Sequence, residues 1–179
     1  MIYQRVVDFW FEEIEPVLWW RKDDAFDALL VERFSETHAR ACRCELFGWR
    51  EQPEGRLAEI IVLDQFSRNM FRDSALAFAH DAMALTLSQE AIAGGADRAL
   101  TPVQRSFLYM PFMHSESSQI HEVAVELFRE NGIQNNLDFE FSHKKIIDKF
   151  GRYPHRNKVL GRQSSAEEIE FLSQPGSSF

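Results

Sequence analysis

The chain reads as an all-α protein of about seven to eight helices in antiparallel hairpins. Three observations lead there. Apolar residues recur at helical spacing along almost the whole length, no segment alternates as a strand would, and only eight glycines and six prolines punctuate 179 residues. Short connections between consecutive helices make neighbours antiparallel, and stacked hairpins of this kind build a right-handed solenoid. The 34-residue tetratricopeptide signature itself is not readable.

A first helix covers Tyr3 to Ile14 and stops before Pro16. Asp23 or Asp24 caps a second that runs toward Phe47, with Phe26, Leu29, Leu30 and Phe34 inward. Pro53-Glu54-Gly55 separates it from a third, about Arg56 to Met70. Asp73 and Ser74 are caps for a fourth, which ends at Gly94-Gly95 and turns Ala75, Phe78, Ala79, Ala82 and Leu85 inward. Thr101-Pro102 opens a fifth, and Pro111 predicts a kink or stop in it. A sixth places Ile120, Val123, Ala124, Leu127 and Phe128 on one face and ends at Asn131-Gly132. A seventh covers about Leu137 to Phe150. Ser164 and Glu167 have capping-box spacing for a short final helix. Residues 1–172 form one domain, and 173–179 read as a loose polar tail.

Composition narrows the function classes. The net charge of −8 argues against general binding to nucleic acid or to a membrane surface. No apolar run approaches the roughly 20 residues that cross a bilayer. Asp8 interrupts the N-terminal apolar residues, so no signal region is read and a cytoplasmic location is expected. The only cysteines, Cys42 and Cys44, read as two small residues in a reducing compartment. The N-terminal aromatics Phe9, Trp10, Phe11, Trp19 and Trp20 read as packing residues.

Against this acidic background, Phe150 to Arg162 carries Arg152, His155, Arg156, Lys158 and Arg162 and no acid. Gly151 and Pro154 place these groups on a turn. A second anomaly lies in the third helix, where Asp64 sits inside an apolar run from Leu57 to Phe66. A buried carboxylate needs a partner, and Arg68 is one turn on. The two anomalies share one pattern: Asp64, Phe66, Arg68, Arg72 and Asp148, Phe150, Arg152, Arg156. The functional reading is two helix ends aiming arginine pairs at one cavity. The structural reading is an Asp–Arg staple at i,i+4 used twice. The second arginine of each copy leaves cations that the aspartates do not neutralise, so an anion or further acids must complete the set.

His114 and Glu116 follow the proline-marked end of the fifth helix, and His155 lies in the basic stretch. His143, on the stripe of Phe139 and Ile146, reads as a core histidine. His38, His80 and His121 read as solvated surface residues. Neither a phosphate loop, a G-x-S-x-G elbow, an H-E-x-x-H motif nor paired C-x-x-C is present. His114, Glu116 and His143 lack diagnostic metal spacing, and no metal or cofactor is expected.

These residues fall in motifs that resemble the bacterial family DUF924. They are F-W-F near the start, F-D at Phe26-Asp27, L-D-Q-F-S-R-N-M-F-R at Leu63 to Arg72 and A-F-A-H-D at Ala77 to Asp81. R-S-F-L-Y-M-P-F-M-H-S-E spans Arg105 to Glu116, and H-K-K-I-I-D-K-F-G-R-Y-P-H-R-N-K-V-L-G-R spans His143 to Arg162. S-S-A-E-E at Ser164 to Glu168 ends the set. The resemblance covers nearly the whole chain. It implies a tetratricopeptide-like helical fold and no settled activity, and adds Asn157 to the site. Family members usually carry proline where this chain has Ser67.

The expected function is a pocket of roughly 300–1,000 Å³ for a small phosphate- or carboxylate-bearing ligand. Arg68, Arg72, Arg152 and Arg156 would clamp the anion. Asp64, His143 and Asn157 would complete the binding set. His114 or His155 would carry a proton, with Glu116 or Asp64 orienting it. The alternative is a helical-repeat module whose arginines grip an acidic peptide or a C-terminal carboxylate. Oligomeric state is not read from the sequence.

Overall fold

The computed structural model describes residues 3–177. Eight helices and no strand are found among these residues. Helix α1 (Gln4–Asp8) continues as a π-turn over Phe9–Glu13 and ends ahead of Pro16. Asp23 caps α2 (Asp24–Cys42) through the N–H groups of Ala25 and Phe26. This helix stops short of Phe47, because the chain turns at Cys44 with φ +58°. Its buried stripe is Phe26, Leu30, Phe34, His38 and Ala41, which leaves Leu29 37% exposed.

Helix α3 runs from Pro53–Ile61 through a π-turn, Val62–Phe66, into Ser67–Met70. It forms the centre of the molecule: Leu57, Ala58 and Ile60 to Leu63 are fully buried, so no face is left for solvent. Gly55 permits the close approach of the preceding turn, since a Cβ there would lie 2.0 Å from the Trp49 carbonyl oxygen. Ser74 caps a short 3-10 turn, Ala75–Phe78, and not the fourth helix, so Ala75 and Ala79 lie exposed. Helix α4 (Asp81–Ala93) begins after it.

Thr101 and Gln104 form a capping box at the start of α5 (Pro102–Met113), with Pro102 in the first turn. Of the kink or stop expected at Pro111, the stop does not fall there: α5 continues past it to Met113. Every residue from Ser106 to Met113 is buried, and this packing outweighs the backbone bond the ring removes. Helix α6 (Ser118–Asn131) ends at Gly132, and α7 (Gln134–Phe150) follows directly. Val123, expected inside, is 45% exposed. The final helix, α8 (Ala166–Leu172), has its capping box one residue later than read, at Ser165 and Glu168.

Helices α5, α6 and α7 pack in sequence, as stacked hairpins would. The first half is ordered otherwise: α3 contacts α1, α4 and α5, so its neighbours are not only its sequence neighbours. The N-terminal aromatics do pack the core, with Phe9 and Trp10 buried against Phe26, Phe34, Phe66 and Phe107, while Trp20 remains 62% exposed. No described helix is long and apolar enough to cross a membrane. At the C-terminus, Ser177 donates to the Leu172 carbonyl at 3.2 Å, and 178–179 lie outside the described residues.

Candidate functional site

Asp64 lies in the π-turn of α3, a local widening often associated with functional positions. Its side chain is 1% exposed and cannot rely on water. Three groups answer it: Arg68 at 3.0 Å, His114 Nδ1 at 2.7 Å and Gln65 Nε2 at 2.6 Å. Burial alone would raise its pKa, but Arg68 and His114 hold the carboxyl well below the usual range. Arg68 also donates to the Asp64 carbonyl and grips Asp81, the first residue of α4, with two bonds of 2.9 Å.

The second half of the chain returns to the same aspartate. Gly151, at φ +66°, ends α7 in the left-handed conformation that glycine adopts without strain. The basic stretch then forms the expected turn, and Pro154–Arg156 is a single 3-10 turn. It sends Arg156 inward, 7% exposed, between the rings of Phe78 and Tyr153, each 4.5 Å from the guanidinium carbon. One terminal nitrogen reaches Asp81 at 3.3 Å and the other donates to the His114 carbonyl at 3.0 Å. Its Nε is buried and has no hydrogen-bond partner among the described residues.

His114 caps the C-terminus of α5, which brings it to this point. A carboxylate only accepts, so the Nδ1 proton belongs to the bond with Asp64 and Nε2 bears the lone pair. No described residue bonds to Nε2, and the side chain is 16% exposed. Burial and the adjacent Arg68 push the imidazole pKa down, against the pull of Asp64, and keep the ring neutral. A second histidine–carboxylate pair lies deeper. His121, read as a solvated residue, is fully buried: Nδ1 meets Glu140 at 2.6 Å and Nε2 the Ser115 carbonyl at 2.9 Å. Both of its nitrogens are committed. His38 is also buried, against Ser67, with Nε2 2.8 Å from its hydroxyl.

Four arginines at one cavity are not what the chain builds. Arg68 and Arg156 converge, whereas Arg72 closes onto Asp27 of α2 at 2.7 and 2.9 Å and Arg152 onto Glu168 of α8 at 2.7 and 2.8 Å. The second Asp–Arg staple is absent too: Asp148 bonds Lys144 at 2.7 Å. After Gly151 the chain is no longer helical, so i,i+4 spacing does not bring Arg152 back over Asp148. The cations counted as surplus are met by acids from elsewhere in the sequence. Glu116 binds Arg162 through two bonds of 2.6 and 2.9 Å and accepts from the Tyr153 N–H at 2.7 Å. Asn157, 1% exposed, accepts from Arg162 and donates to Ser164, which ties the turn together.

His143 donates to the Phe139 carbonyl at 2.8 Å, and burial depresses its pKa to about 3. His155 stands 5.5 Å from the Tyr153 ring centre, with its pKa lowered to about 4 by burial and by Arg156.

Two cavities among the described residues have volumes of about 530 and 310 Å³. The first is an open depression along α7 at Phe141, Lys144 and Lys149, and the second lies between α4, α5 and α6. Neither is lined by Asp64, Arg68, Asp81, His114 or Arg156, so the expected pocket has no counterpart in them. No group of three or more His, Cys, Asp or Glu side chains among the described residues is placed to hold a metal ion.

The sequence profile described as bacterial protein of unknown function (DUF924) matches residues 6–176. The chain belongs to this family. A solved structure of a protein of unknown function from Agrobacterium tumefaciens is 39% identical and covers 96% of both chains, with a TM-score of 0.91. No curated protein is similar to it.

Membership in DUF924 explains motifs that sequence reasoning quoted without giving them a task. F-D supplies Asp27, the partner of Arg72, and A-F-A-H-D supplies both Phe78 and Asp81. Tyr153, within F-G-R-Y-P-H-R, sets its own ring against Arg156. Four positions at the charged network were therefore missed as participants, although two short DUF924 motifs ending in aspartate carried the signal.

Proposed function

We propose that this DUF924 protein binds a small phosphate- or carboxylate-bearing molecule at Arg68 and Arg156 and moves a proton on it through His114. One observation carries the reading. Asp64, which Arg68 also binds, holds His114 by Nδ1, the ring is kept neutral, Nε2 is left unclaimed, and Arg156 binds the His114 carbonyl. A buried carboxylate behind a neutral imidazole is a general-base arrangement. Glu116 is a weaker choice, because Arg162 and the Tyr153 N–H already occupy its oxygens.

Asp81 fills the place of an incoming anion. It accepts from both arginines and is 19% exposed, so a ligand carboxylate or phosphate competes with it for the same donors. The buried Nε–H of Arg156 leaves one donor unspent. An extended groove for an acidic peptide draws less support, since Arg72, Arg152 and Arg162 are each closed onto a carboxylate of the chain itself.

A thermal-shift series with inorganic phosphate, sulfate and phosphate- or carboxylate-bearing metabolites tests this. At least one anion is expected to raise Tm of the unmodified protein. Arg156→Met, folded by circular dichroism, loses that shift. His114→Gln keeps the shift and loses any turnover of the same compound. The reading fails if no anion raises Tm, or if Arg156→Met retains the full shift.

A further inference from the structure

The cavity of about 310 Å³ lies away from His114, between the C-terminal end of α4, the turn Ala96–Ala99, and helices α5 and α6. Asp97, Arg98, Arg105, Tyr109 and Glu130 line it, together with the apolar Leu127. Two acids and two bases thus share one wall, and none of the four forms an ion pair among the described residues.

The charged groups are also held in place. Asn131, 8% exposed, donates to the Pro102 carbonyl and to Ser106 Oγ, both at 3.0 Å, and its oxygen accepts from Arg105 Nε at 2.7 Å. This fixes the stem of Arg105, while its two terminal nitrogens bond to no described residue. Across the wall, the Tyr109 hydroxyl donates to Asp97 Oδ2 at 2.9 Å. Asp97 Oδ1 is buried and has no partner among the described residues. A fixed guanidinium with open arms and the carboxylates of Asp97 and Glu130 therefore line one small space.

We infer that this cavity binds a small zwitterion of the free amino acid class. The ligand carboxylate meets Arg105, with Arg98 adding positive charge, and its ammonium lies against the carboxylates of Asp97 and Glu130. Charge balance selects this class over a phosphate or a dicarboxylate. The four charges sum to zero, and a dianion would have to sit against Asp97 and Glu130. The site and its ligand are independent of the reading at His114.

Isothermal titration calorimetry of the full chain tests the inference. The probes are common free L-amino acids, the matching carboxylic acids without the amino group, and the matching amines without the carboxylate. At least one amino acid is expected to bind, with both analogues weaker by about tenfold or more. Asp97→Asn and Arg105→Gln each lower that affinity by about tenfold or more, with melting curves confirming the fold. Asp148→Asn, on the exposed side of α7, leaves it unchanged. The inference is overturned if no amino acid gives a binding heat at about 10 mM, if a carboxylic acid binds as tightly as its amino acid, or if folded Asp97 and Arg105 variants bind normally. Should a variant fail to fold, the analogue comparison on the unmodified protein decides alone.

Discussion

Two segments of this chain carry the same letters at the same spacing, Asp64, Phe66, Arg68, Arg72 and Asp148, Phe150, Arg152, Arg156, and they fold to different ends. In the first the aspartate is 1% exposed and binds Arg68, His114 and Gln65. In the second it is 48% exposed and binds Lys144 instead. Burial decides this difference. In the interior every oxygen must find a donor within the protein, whereas on the surface water satisfies Asp148 whatever its neighbours do. The arginines differ for a backbone reason. Helix α3 continues through Arg68, so its first arginine stays over the aspartate. Helix α7 ends at Gly151, so there the second arginine, Arg156, is the one that turns inward.

The sharpest way to break this comparison is to neutralise the buried aspartate. Asp64→Asn leaves Arg68 and His114 without their shared negative charge in a dry environment. A loss of about 3–5 kcal/mol is expected in urea unfolding. A loss under about 1 kcal/mol would mean that Asp81 alone suffices for Arg68, and that depth is not what separates the two segments.

Acid probes the same interior by a second route. An unfolded histidine titrates near 6.5, whereas burial and neighbouring cations hold His143 at about 3, His155 at about 4 and His114 below its ordinary value. Below about pH 6.5 the unfolded chain therefore takes up protons that the native protein refuses, and stability falls as pH falls. The expected slope is about 2–4 kcal/mol per pH unit between pH 6.5 and 4.5, measured as urea midpoints. Asp64 works in a lower window. Its depressed pKa contributes stability above the unfolded carboxyl value near 3.9, which is lost only as pH falls further toward the folded one. A flat profile from pH 7 to 4.5 would place these histidines in water and remove the argument for a neutral His114.

Helix content and helix order could be read from spacing, because caps such as Asp23 and Thr101 and stops such as Gly132 and Gly151 act within a few residues. Asp64 with Arg68 could be read for the same reason, being one turn apart on an apolar helix. The partners of Arg72, Arg152 and Arg162 could not. Asp27, Glu168 and Glu116 are brought to them by tertiary packing, and nothing local marks an aspartate as the mate of a distant arginine. His121 was misplaced similarly: Gln119 and Glu122 beside it mark a charged face, whereas its burial comes from α7 lying across it with Glu140. Pro111 misled in the opposite direction, since a local rule met a helix held from all sides.

Arg152 tests the outer segment at a smaller scale. Its fork on Glu168 and its bond to the Gln163 carbonyl fasten the turn after α7 to α8. Arg152→Gln should lower Tm only slightly, because the guanidinium is partly solvated and water replaces much of what is lost. Hydrogen exchange should quicken in α8 and leave α3 unchanged. Slower or equal exchange in α8 would mean that its capping box at Ser165, not the ion pair, holds the helix.

The smallest effect carries the most direct comparison. Asp148→Asn removes the same charge from the same position of the shared pattern as Asp64→Asn. Yet Asp148 faces water, and its bond to Lys144 is an exposed i,i+4 pair of a kind worth about 0.3–0.5 kcal/mol. Lys144 keeps a second partner in Glu122 at 2.9 Å, so it is not stranded. The expected loss is therefore below about 0.5 kcal/mol, against 3–5 kcal/mol for Asp64. Salt should erase even that small difference, because the pair lies on the surface, and should leave most of the Asp64 effect in place. A loss above about 1 kcal/mol at Asp148 would mean the outer copy is also a buried staple, and the distinction between the two segments would collapse.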